Sequence, residues 1–234
     1  MKQSYRKDYW EMQPNYCELW CEKDAIIGSI QDLTDQLGLT VRVGRGSPSA
    51  TRINNIAKHL NSVNKANKTV FYLGDHDPSG QDIQRAAHVR VQQRARELWL
   101  SDRDSFPEED DLTPWFDVER IAIHPADIKK LTLPPLRIRT KEDGEYADPR
   151  ANNFVKKHGK QCVELDALPP TELRRRIQKA VESKLDIALW NRAVAIEEVE
   201  LRSIVETVSR WPGLKAPASG ETSPNSSSSN LKGG

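Results

Sequence analysis

The stretch TVFYLGDHDPSG, residues Thr69–Gly80, determines the fold that we expect for this chain of 234 residues. Its opening residues, Thr69–Leu73, form a continuous apolar run, which is typical of a strand buried on both faces of a parallel sheet. Pro78 and Gly80 then favour a tight turn, and a helical pattern follows from about residue 81 to residue 100. The stretch therefore predicts a buried strand, a loop that carries two aspartates, and a long helix.

Two strand-helix pairs precede this stretch. Tyr16–Cys21 alternates apolar and polar residues as a strand does, and apolar residues then recur at the helical period over Asp24–Leu37, until Gly38. Leu39–Val43 indicates a second short strand, and the helix after it is expected to end near Leu60. Strand and helix thus alternate three times in about the first hundred residues, an order that predicts a parallel sheet with right-handed crossovers.

The rest of the chain continues this architecture and then departs from it. Val118–Ile123 indicates a fourth strand, and a helical pattern extends from Thr171 to about Arg210, as one helix or two. We therefore expect an α/β fold, with a mostly parallel four-stranded sheet flanked by helices and a helical C-terminal extension. The expected segments are a linker-like segment at 1–15, an α/β domain at 16–125, an extension at 126–210 that packs on or continues this domain, and a disordered polar tail at 211–234.

The composition excludes several classes of protein. Hydrophobic residues make up 37% and charged residues 29% of the chain, values that suit a globular protein. No apolar run approaches the roughly 20 residues that a membrane helix needs, and the N-terminus does not resemble a signal peptide. Three cysteines, at 17, 21 and 162, cannot all pair and are not spaced as a zinc cluster. We expect a cytoplasmic protein with reduced thiols and no membrane partner.

Charge is distributed unevenly, although the net charge is only +1. Residues 36–74 contain no acid, and this segment holds the basic residues Arg42, Arg45, Arg52, Lys58, Lys65 and Lys68. Such a segment, leading directly to clustered carboxylates, fits a polyanion held beside a metal, but a solvated basic helix face is equally open. The same two interpretations apply to Arg174–Arg176, and Glu164 and Asp166 either add an outer metal ligand or end a short strand in solvent.

Carboxylates follow two strands of the predicted sheet. Glu22 ends the first strand, and Asp75 and Asp77 follow the third. Because ligands gather at the carboxyl ends of parallel strands, we expect the three side chains to bind one Mg²⁺ site, for which carboxylate oxygens are suited. The alternative is structural, since aspartates are common in turns and Glu22 could be a first-turn acid. We expect Asp24 to cap the first helix.

Three motifs carry a resemblance to a known family. They are WCEKDAI at Trp20–Ile26, GRGSPSATR at Gly44–Arg52 and GDHDPSG at Gly74–Gly80. In order and spacing these motifs resemble the Toprim domain, in the form found in the A subunit of topoisomerase VI and in its relatives that make meiotic double-strand breaks. The resemblance to the three motifs covers about residues 16–100. It implies that the predicted α/β domain is Toprim-like.

The resemblance also implies roles for individual residues. Glu22, Asp75 and Asp77 would be catalytic and would coordinate Mg²⁺, as one or two ions, with Mn²⁺ as an alternative metal. Glu22 would in addition act as a general acid or base. The residues expected to contact nucleic acid are Lys23, Arg45, Arg52, Ser79 and Gly80. The alternative for Lys23 is an exposed salt bridge. The alternative for Arg45 and Arg52 is that they lie at the surface and serve only solubility.

The function expected from the motifs is Mg²⁺-dependent processing of DNA, as a nuclease or as a strand-cleavage component of the topoisomerase VI A type. In that family the cleaving tyrosine lies in a winged-helix domain ahead of the Toprim domain, whereas only residues 1–15 precede the first strand here. We therefore expect such a domain or subunit, or a homodimer mate, as partner. The alternative is a non-catalytic module for nucleic-acid binding or assembly, and RNA is a less favoured substrate than DNA.

Overall fold

The computed structural model describes residues 5, 7–44, 46–101 and 115–211, in which strands and helices alternate over the first half. The strands are β1 (Asn15–Cys21), β2 (Thr40–Val43), β3 (Asn67–Leu73), β4 (Asp117–Ala122), β5 (Leu136–Arg137) and β6 (Gln161–Cys162). The helices are α1 (Ile27–Gln36), α2 (Ala50–Ser62), α3 (Pro78–Ser101), α4 (Pro125–Lys130), α5 (Ala151–His158), α6 (Pro170–Glu182) and α7 (Ile187–Ser209). Two 3-10 turns, at Asp24–Ile26 and Leu165–Ala167, lie between them.

Strands β1–β4 form one parallel sheet in the order β2-β1-β3-β4. β3 pairs with β1 along its whole length, from Asn67 opposite Asn15 to Leu73 opposite Cys21. The predicted four-stranded parallel sheet flanked by helices is confirmed, and the carboxyl ends of β1 and β3 lie side by side. β5 and β6 form a separate antiparallel pair; the sequence pattern indicated a short strand near Cys162 but did not predict β5 or this pairing.

Side chains of β1 alternate between two hydrophobic cores, because successive residues of a strand point to opposite faces of the sheet. Cys17 and Leu19 belong to the core that contains the apolar face of α1 and of α6. Tyr16 and Trp20 belong to the core formed with α2 and α3. The sheet is therefore covered on both faces, which explains the uninterrupted apolar run at Thr69–Leu73.

The chain divides into two compact units, Asp8–Asn191 and a second unit made of Met1–Lys7 with Arg192–Gly234. The segment boundaries predicted at 15/16 and 125/126 both fall inside the first unit. Within that unit Trp10 is buried, and its indole Nε1 donates a hydrogen bond to the Leu37 carbonyl at 3.0 Å. In the second unit the Tyr5 hydroxyl donates to Glu200 at 2.6 Å.

The first two helices start in different ways. The cap of α2 is Ser49, whose side chain accepts a hydrogen bond from the Arg52 backbone N–H at 3.3 Å. The capping role expected for Asp24 is wrong: Lys23 occupies the N-cap position of the 3-10 turn without capping it through its side chain, and Asp24 is the first residue inside that turn. The main reason is that the chain leaves β1 through a 3-10 turn before α1 begins at Ile27.

Among the described helices, none is both long enough and apolar enough to cross a membrane. The prediction of a disordered tail falls almost wholly on residues 212–234, which lie outside the described residues.

Candidate metal and nucleic-acid site

The candidate site lies at the carboxyl ends of β1 and β3. The Glu22 backbone N–H donates to the Leu73 carbonyl at 2.9 Å, so β1 and β3 stay paired up to the first residue of the site. Gly74 continues the pairing on the other side, since its N–H donates to the Ala122 carbonyl of β4 at 3.0 Å. The loop after β3 is thus held between two neighbouring strands, and Glu22 and Asp75 meet at one edge.

The Glu22 carboxylate rests against the backbone of this loop. Its Oε2 accepts a hydrogen bond from the Asp75 N–H at 3.2 Å. A Cβ atom added at Gly74 would lie 2.9 Å from this oxygen, and one added at Gly80 would lie 3.1 Å from it. Any other residue at either position would force the Glu22 carboxylate to move from where it lies.

The charge on Glu22 is disfavoured by its surroundings. Burial, and then the nearby negative charge of Asp75, raise the pKa of Glu22 to about 7, against the hydrogen bond from the Asp75 N–H, which lowers it. Asp77 raises this pKa further, whereas the Arg120 guanidinium lowers it. The three predicted carboxylates therefore lie within electrostatic reach of one another.

The Asp75 carboxylate turns toward the C-terminal part of the compact unit. Its Oδ1 accepts from the Leu165 N–H at 2.7 Å and lies 3.3 Å from the Lys23 Nζ. Burial raises the pKa of Asp75, although the Leu165 N–H and the Lys23 ammonium both act to lower it. Asp75 thus joins three segments that are far apart in the sequence.

Asp77 has a structural contact of its own. Its Oδ1 accepts a hydrogen bond from the Gly80 N–H at 2.6 Å, at the start of α3. This is the geometry by which an aspartate caps a helix, since it satisfies one of the free N–H groups of the first turn. Asp77 therefore has the structural role in the turn that the sequence analysis gave as the alternative to metal binding.

The donor set fits a hard divalent cation only in part. No group of three His, Cys, Asp or Glu side chains is arranged as a ready-made metal site in the described ranges. Each carboxylate uses one oxygen in the contacts above, and within the same ranges Glu22 Oε1, Asp75 Oδ2 and Asp77 Oδ2 accept no hydrogen bond from the protein. Mg²⁺ keeps several water ligands and needs only one or two carboxylates, so these oxygens are chemically suitable donors.

Lys23 lies among carboxylates. Its Nζ is 3.3 Å from Asp75, 3.2 Å from Glu164 and 3.3 Å from Asp166. Burial lowers the pKa of Lys23, but Asp75 and the other carboxylates outweigh this and raise it. The salt-bridge alternative for Lys23 is thus observed, with three partners, and its contact with a phosphate stays a prediction.

The other predicted nucleic-acid contacts are dispersed. Arg52 is half-buried, and its guanidinium occupies the space that a Cβ at Gly44 would need. Burial, and then the charge of Arg42, lower the pKa of Arg52. Ser79 and Gly80 lie in the first turn of α3, where the Gly80 N–H already donates to Asp77. Arg45 lies outside the described residues.

Arg120 of β4 makes several hydrogen bonds to the loop after β3, a role that the sequence analysis did not predict. Its Nη1 donates to the Gly74 carbonyl at 2.8 Å, its Nη2 to the Gly80 carbonyl at 3.2 Å, and its Nε to Gln84 at 2.7 Å. The guanidinium also stacks over the Tyr72 ring, 5.2 Å from its centroid. One arginine thereby ties both glycines of the loop to β4 and α3.

A sequence signal for Arg120 existed. In the predicted strand Val118–Ile123, Glu119 and Arg120 are neighbours, and side chains alternate between faces of a strand. Since helices cover both faces of a parallel sheet, at least one of these charges had to lie beneath a helix and find partners there.

His76 anchors the loop to the segment that follows β6. Its backbone N–H donates to the Val163 carbonyl at 2.8 Å, and the Val163 N–H returns a bond to the His76 carbonyl at 3.0 Å. The imidazole is fully buried and packs against Phe154 and His158 of α5. Burial lowers the pKa of His76 to about 4, so the ring is neutral at physiological pH. This pairing is what brings residues 164–166 to the carboxylates.

Comparison of the chain with models of protein families, with curated proteins and with solved structures found no match.

Proposed function

We propose that this protein is a Mg²⁺-dependent DNA-processing protein with a Toprim-like site, acting on phosphodiesters as a nuclease or as a strand-cleavage component of the topoisomerase VI A type. The observation that carries the proposal is the position of Glu22. Its carboxylate contacts the backbone of Asp75 at the edge of two neighbouring parallel strands, in a space that Gly74 and Gly80 keep open. An acid that only favours the start of a helix would not need to be half-buried in this way, so this geometry supports a chemical role for Glu22.

The chemistry follows from the donor set. Glu22, Asp75 and Asp77 are the residues that would hold the metal, which supplies charge neutralisation beside a scissile phosphate. Burial and the nearby charge of Asp75 raise the pKa of Glu22 to about 7, so a cation bound beside it would favour the ionised form that a general base requires. Arg120 keeps the loop fixed, so the carboxylates do not depend on the substrate for their position.

The proposed substrate is DNA gripped mainly through its phosphates. The acid-free segment 36–74 leads directly to the carboxylates, and phosphate contacts by such basic residues give little sequence preference and strong salt dependence. A tyrosine-bearing winged-helix domain or subunit, or a homodimer mate, would complete a topoisomerase-type reaction. RNA is the less favoured substrate.

The proposal is tested by nicking of supercoiled plasmid DNA with Mg²⁺, with Mn²⁺ and with a chelator. We expect nicking with either metal and none with the chelator. Glu22→Gln removes the titrating group while keeping an oxygen that accepts from the Asp75 N–H, and should slow nicking by about 100-fold or more. Arg175→Ala, an exposed residue of α6, is the matched control and should nick as the wild type does. Undiminished nicking by a folded Asp75→Ala variant would refute the assignment of the site.

A second candidate is a non-catalytic module that binds or assembles on nucleic acid. The observation in its favour is that Asp75 and Asp77 already have structural partners, the Leu165 N–H with Lys23 and the Gly80 N–H. This candidate predicts DNA binding that is unchanged by a chelator and an absence of nicking with every divalent metal.

A further inference from the structure

A groove of about 760 Å³ opens beside Asp77 and Ser79 at the start of α3. Its other lining residues come from around β5, from the residues just before α5, and from β6 and the two residues after it, and they include Arg137, Arg139 and Arg150. We call it the arginine groove. It adjoins the carboxylate site because Asp77 belongs to both, and Glu164, which also lines the groove, lies 3.2 Å from the Lys23 Nζ.

Two of the arginines are exposed and have no acidic partner. Arg137 and Arg139 make no side-chain hydrogen bond or ion pair with any residue that the structure describes. By contrast, Arg150 makes a two-pronged contact with Asp148, at 2.9 and 2.8 Å, and lies 3.9 Å from Asp82 on α3. An unpaired guanidinium presents its donors in a planar fork that matches phosphate oxygens.

The basic residues of the groove lie at a defined separation from the carboxylates. Leu165 contacts Asp75 through its N–H, and Arg137 is paired with Gln161 in the β5–β6 ladder. Four residue steps separate these two anchor points along one segment, which corresponds to at most about 13 Å of extended chain. Along the axis of a DNA duplex this length corresponds to the rise of about four base pairs, and it spans fewer than four phosphates along the strand itself, because phosphates lie further apart than the axial rise.

The acids of the groove are mostly neutralised by other contacts. Asp148 is paired with Arg150, and Glu164 with Lys23. With Asp77 contributing to the metal site, the unpaired charges that remain on the described lining are those of Arg137 and Arg139. The surface is thus acidic where a metal would bind and basic a few residues away, which is the pattern that suits a polyanionic strand crossing a metal site.

We propose that the arginine groove binds the sugar-phosphate backbone of the DNA strand that occupies the carboxylate site, with Arg137 and Arg139 contacting phosphates fewer than about four positions from the reacting one. This inference rests on the proposed function for the identity of the strand. It adds a binding surface from the C-terminal half of the chain, which the three sequence motifs do not include.

The test is DNA binding by the full chain in a chelator, measured as fluorescence anisotropy of a labelled duplex over a series of salt concentrations. The double variant Arg137→Gln/Arg139→Gln should bind about tenfold or more weakly at low salt and lose about two from the slope of log affinity against log salt. The control Arg175→Gln/Arg202→Gln changes the net charge equally at exposed arginines of α6 and α7, and should keep the wild-type affinity and slope.

The outcomes separate this inference from the proposed function. Binding that depends on Arg137 and Arg139 without any nicking supports the groove and contradicts the nuclease. Metal-dependent nicking and binding that are both unaffected by the double variant overturn the groove and leave the nuclease standing. A polyglutamate peptide that displaces the duplex at equal charge concentration would also overturn the groove as a DNA surface.

Discussion

Glu22 is the residue of the candidate site whose ionised form is most clearly disfavoured by its surroundings. Its carboxylate is half-buried, and the charges of Asp75 and Asp77 add to the effect of burial. The Asp75 N–H and the Arg120 guanidinium compensate only in part, because the pKa remains near 7 rather than at its ordinary value of 4.5. In the metal-free protein, ionised Glu22 therefore destabilises the fold, and a bound cation would relieve it.

The first prediction concerns the pH dependence of stability. Because the Glu22 pKa is raised on folding, its contribution to stability is present below about pH 4.5 and is lost as pH rises through about 7. The shift corresponds to at most about 3 kcal/mol, and solvent screening of a half-buried group reduces this to about 2 kcal/mol. Urea unfolding in a chelator should show that Glu22→Gln gains stability over the wild type at pH 8 but not at pH 4. Equal differences at both pH values would contradict the prediction.

The second prediction concerns the metal. Metal ligands must be deprotonated, so Mg²⁺ should stabilise the protein more at pH 8 than at pH 5.5. At a concentration about 100 times its Kd the expected gain is about 2.7 kcal/mol. Thermal unfolding with Mg²⁺ and with a chelator measures this gain, and Asp75→Asn should abolish it. An equal Mg²⁺ effect on wild type and Asp75→Asn would place the metal elsewhere.

The third prediction concerns Gly80. A Cβ at this position would lie 2.5 Å from the Asp75 carbonyl oxygen and 3.1 Å from Glu22 Oε2. Gly80→Ala should therefore destabilise the fold by about 1–3 kcal/mol and weaken Mg²⁺ binding. Gly28 in α1 has open space around it, and Gly28→Ala should stabilise by up to about 1 kcal/mol through helix propensity alone. The free energies of unfolding of both variants are measured with urea. Equal values for Gly80→Ala and Gly28→Ala would show that the loop can shift to make space for the added methyl group.

At the scale of elements, α6 binds two neighbours through its run of arginines. Arg174 pairs with Asp32 of α1, Arg175 with Glu172 of its own helix, and Arg176 with Asp127 of α4. The run therefore serves contacts within the compact unit, and the solvated interpretation holds best for Arg175. Ion pairs fasten α6 to α1 and α4, and its apolar face packs in the core beneath the sheet.

The fourth prediction separates these arginines. Arg176 and Asp127 are both largely buried and make two parallel hydrogen bonds of 2.7 Å, and Asp127 also accepts from the His124 N–H. Arg176→Ala leaves this acid without its cation and should cost about 3 kcal/mol. Arg175→Ala, at an exposed position, should leave the unfolding midpoint unchanged. Similar losses in both variants would mean that the arginines act through helix propensity instead.

At the scale of the whole molecule, the α/β segment up to β4 and the extension after it share one core. Leu19 and Phe71 of the sheet belong to the same buried cluster as Leu165, Leu173 and Ile177. The site has the same composite character, since Asp75 contacts a residue 90 positions away and Lys23 one 141 positions away.

The fifth prediction follows from this shared core. A fragment ending at residue 125 would expose the face of the sheet that α6 covers, and it should lack a cooperative urea transition. A fragment covering the compact unit 8–191 should retain one. Circular dichroism during urea unfolding distinguishes the two, and a cooperative transition in the shorter fragment would make residues 16–125 an independent domain.

The order of elements was accessible from the sequence because it depends on local patterns. The predicted strands agree with β1–β4 to within about two residues, and the meeting of Glu22 with the loop at Asp75 follows from parallel pairing alone. Arg120, the arginine groove and the ring of acids around Lys23 were not accessible, because they arise where β4, β5 and the segment after β6 reach the loop. No periodicity encodes which distant segment will supply a partner.

The amino-acid sequence by itself determined the parallel sheet and the edge at which three carboxylates gather, because the period of apolar residues and the side-by-side carboxyl ends of parallel strands are properties of short segments and of chain direction. Only the tertiary structure decided which partners those carboxylates contact: Asp75 contacts Leu165 and Lys23, and Asp77 caps α3. The physical reason is that a buried charge takes whatever donors the packed segments bring within reach, and packing is a property of the whole chain.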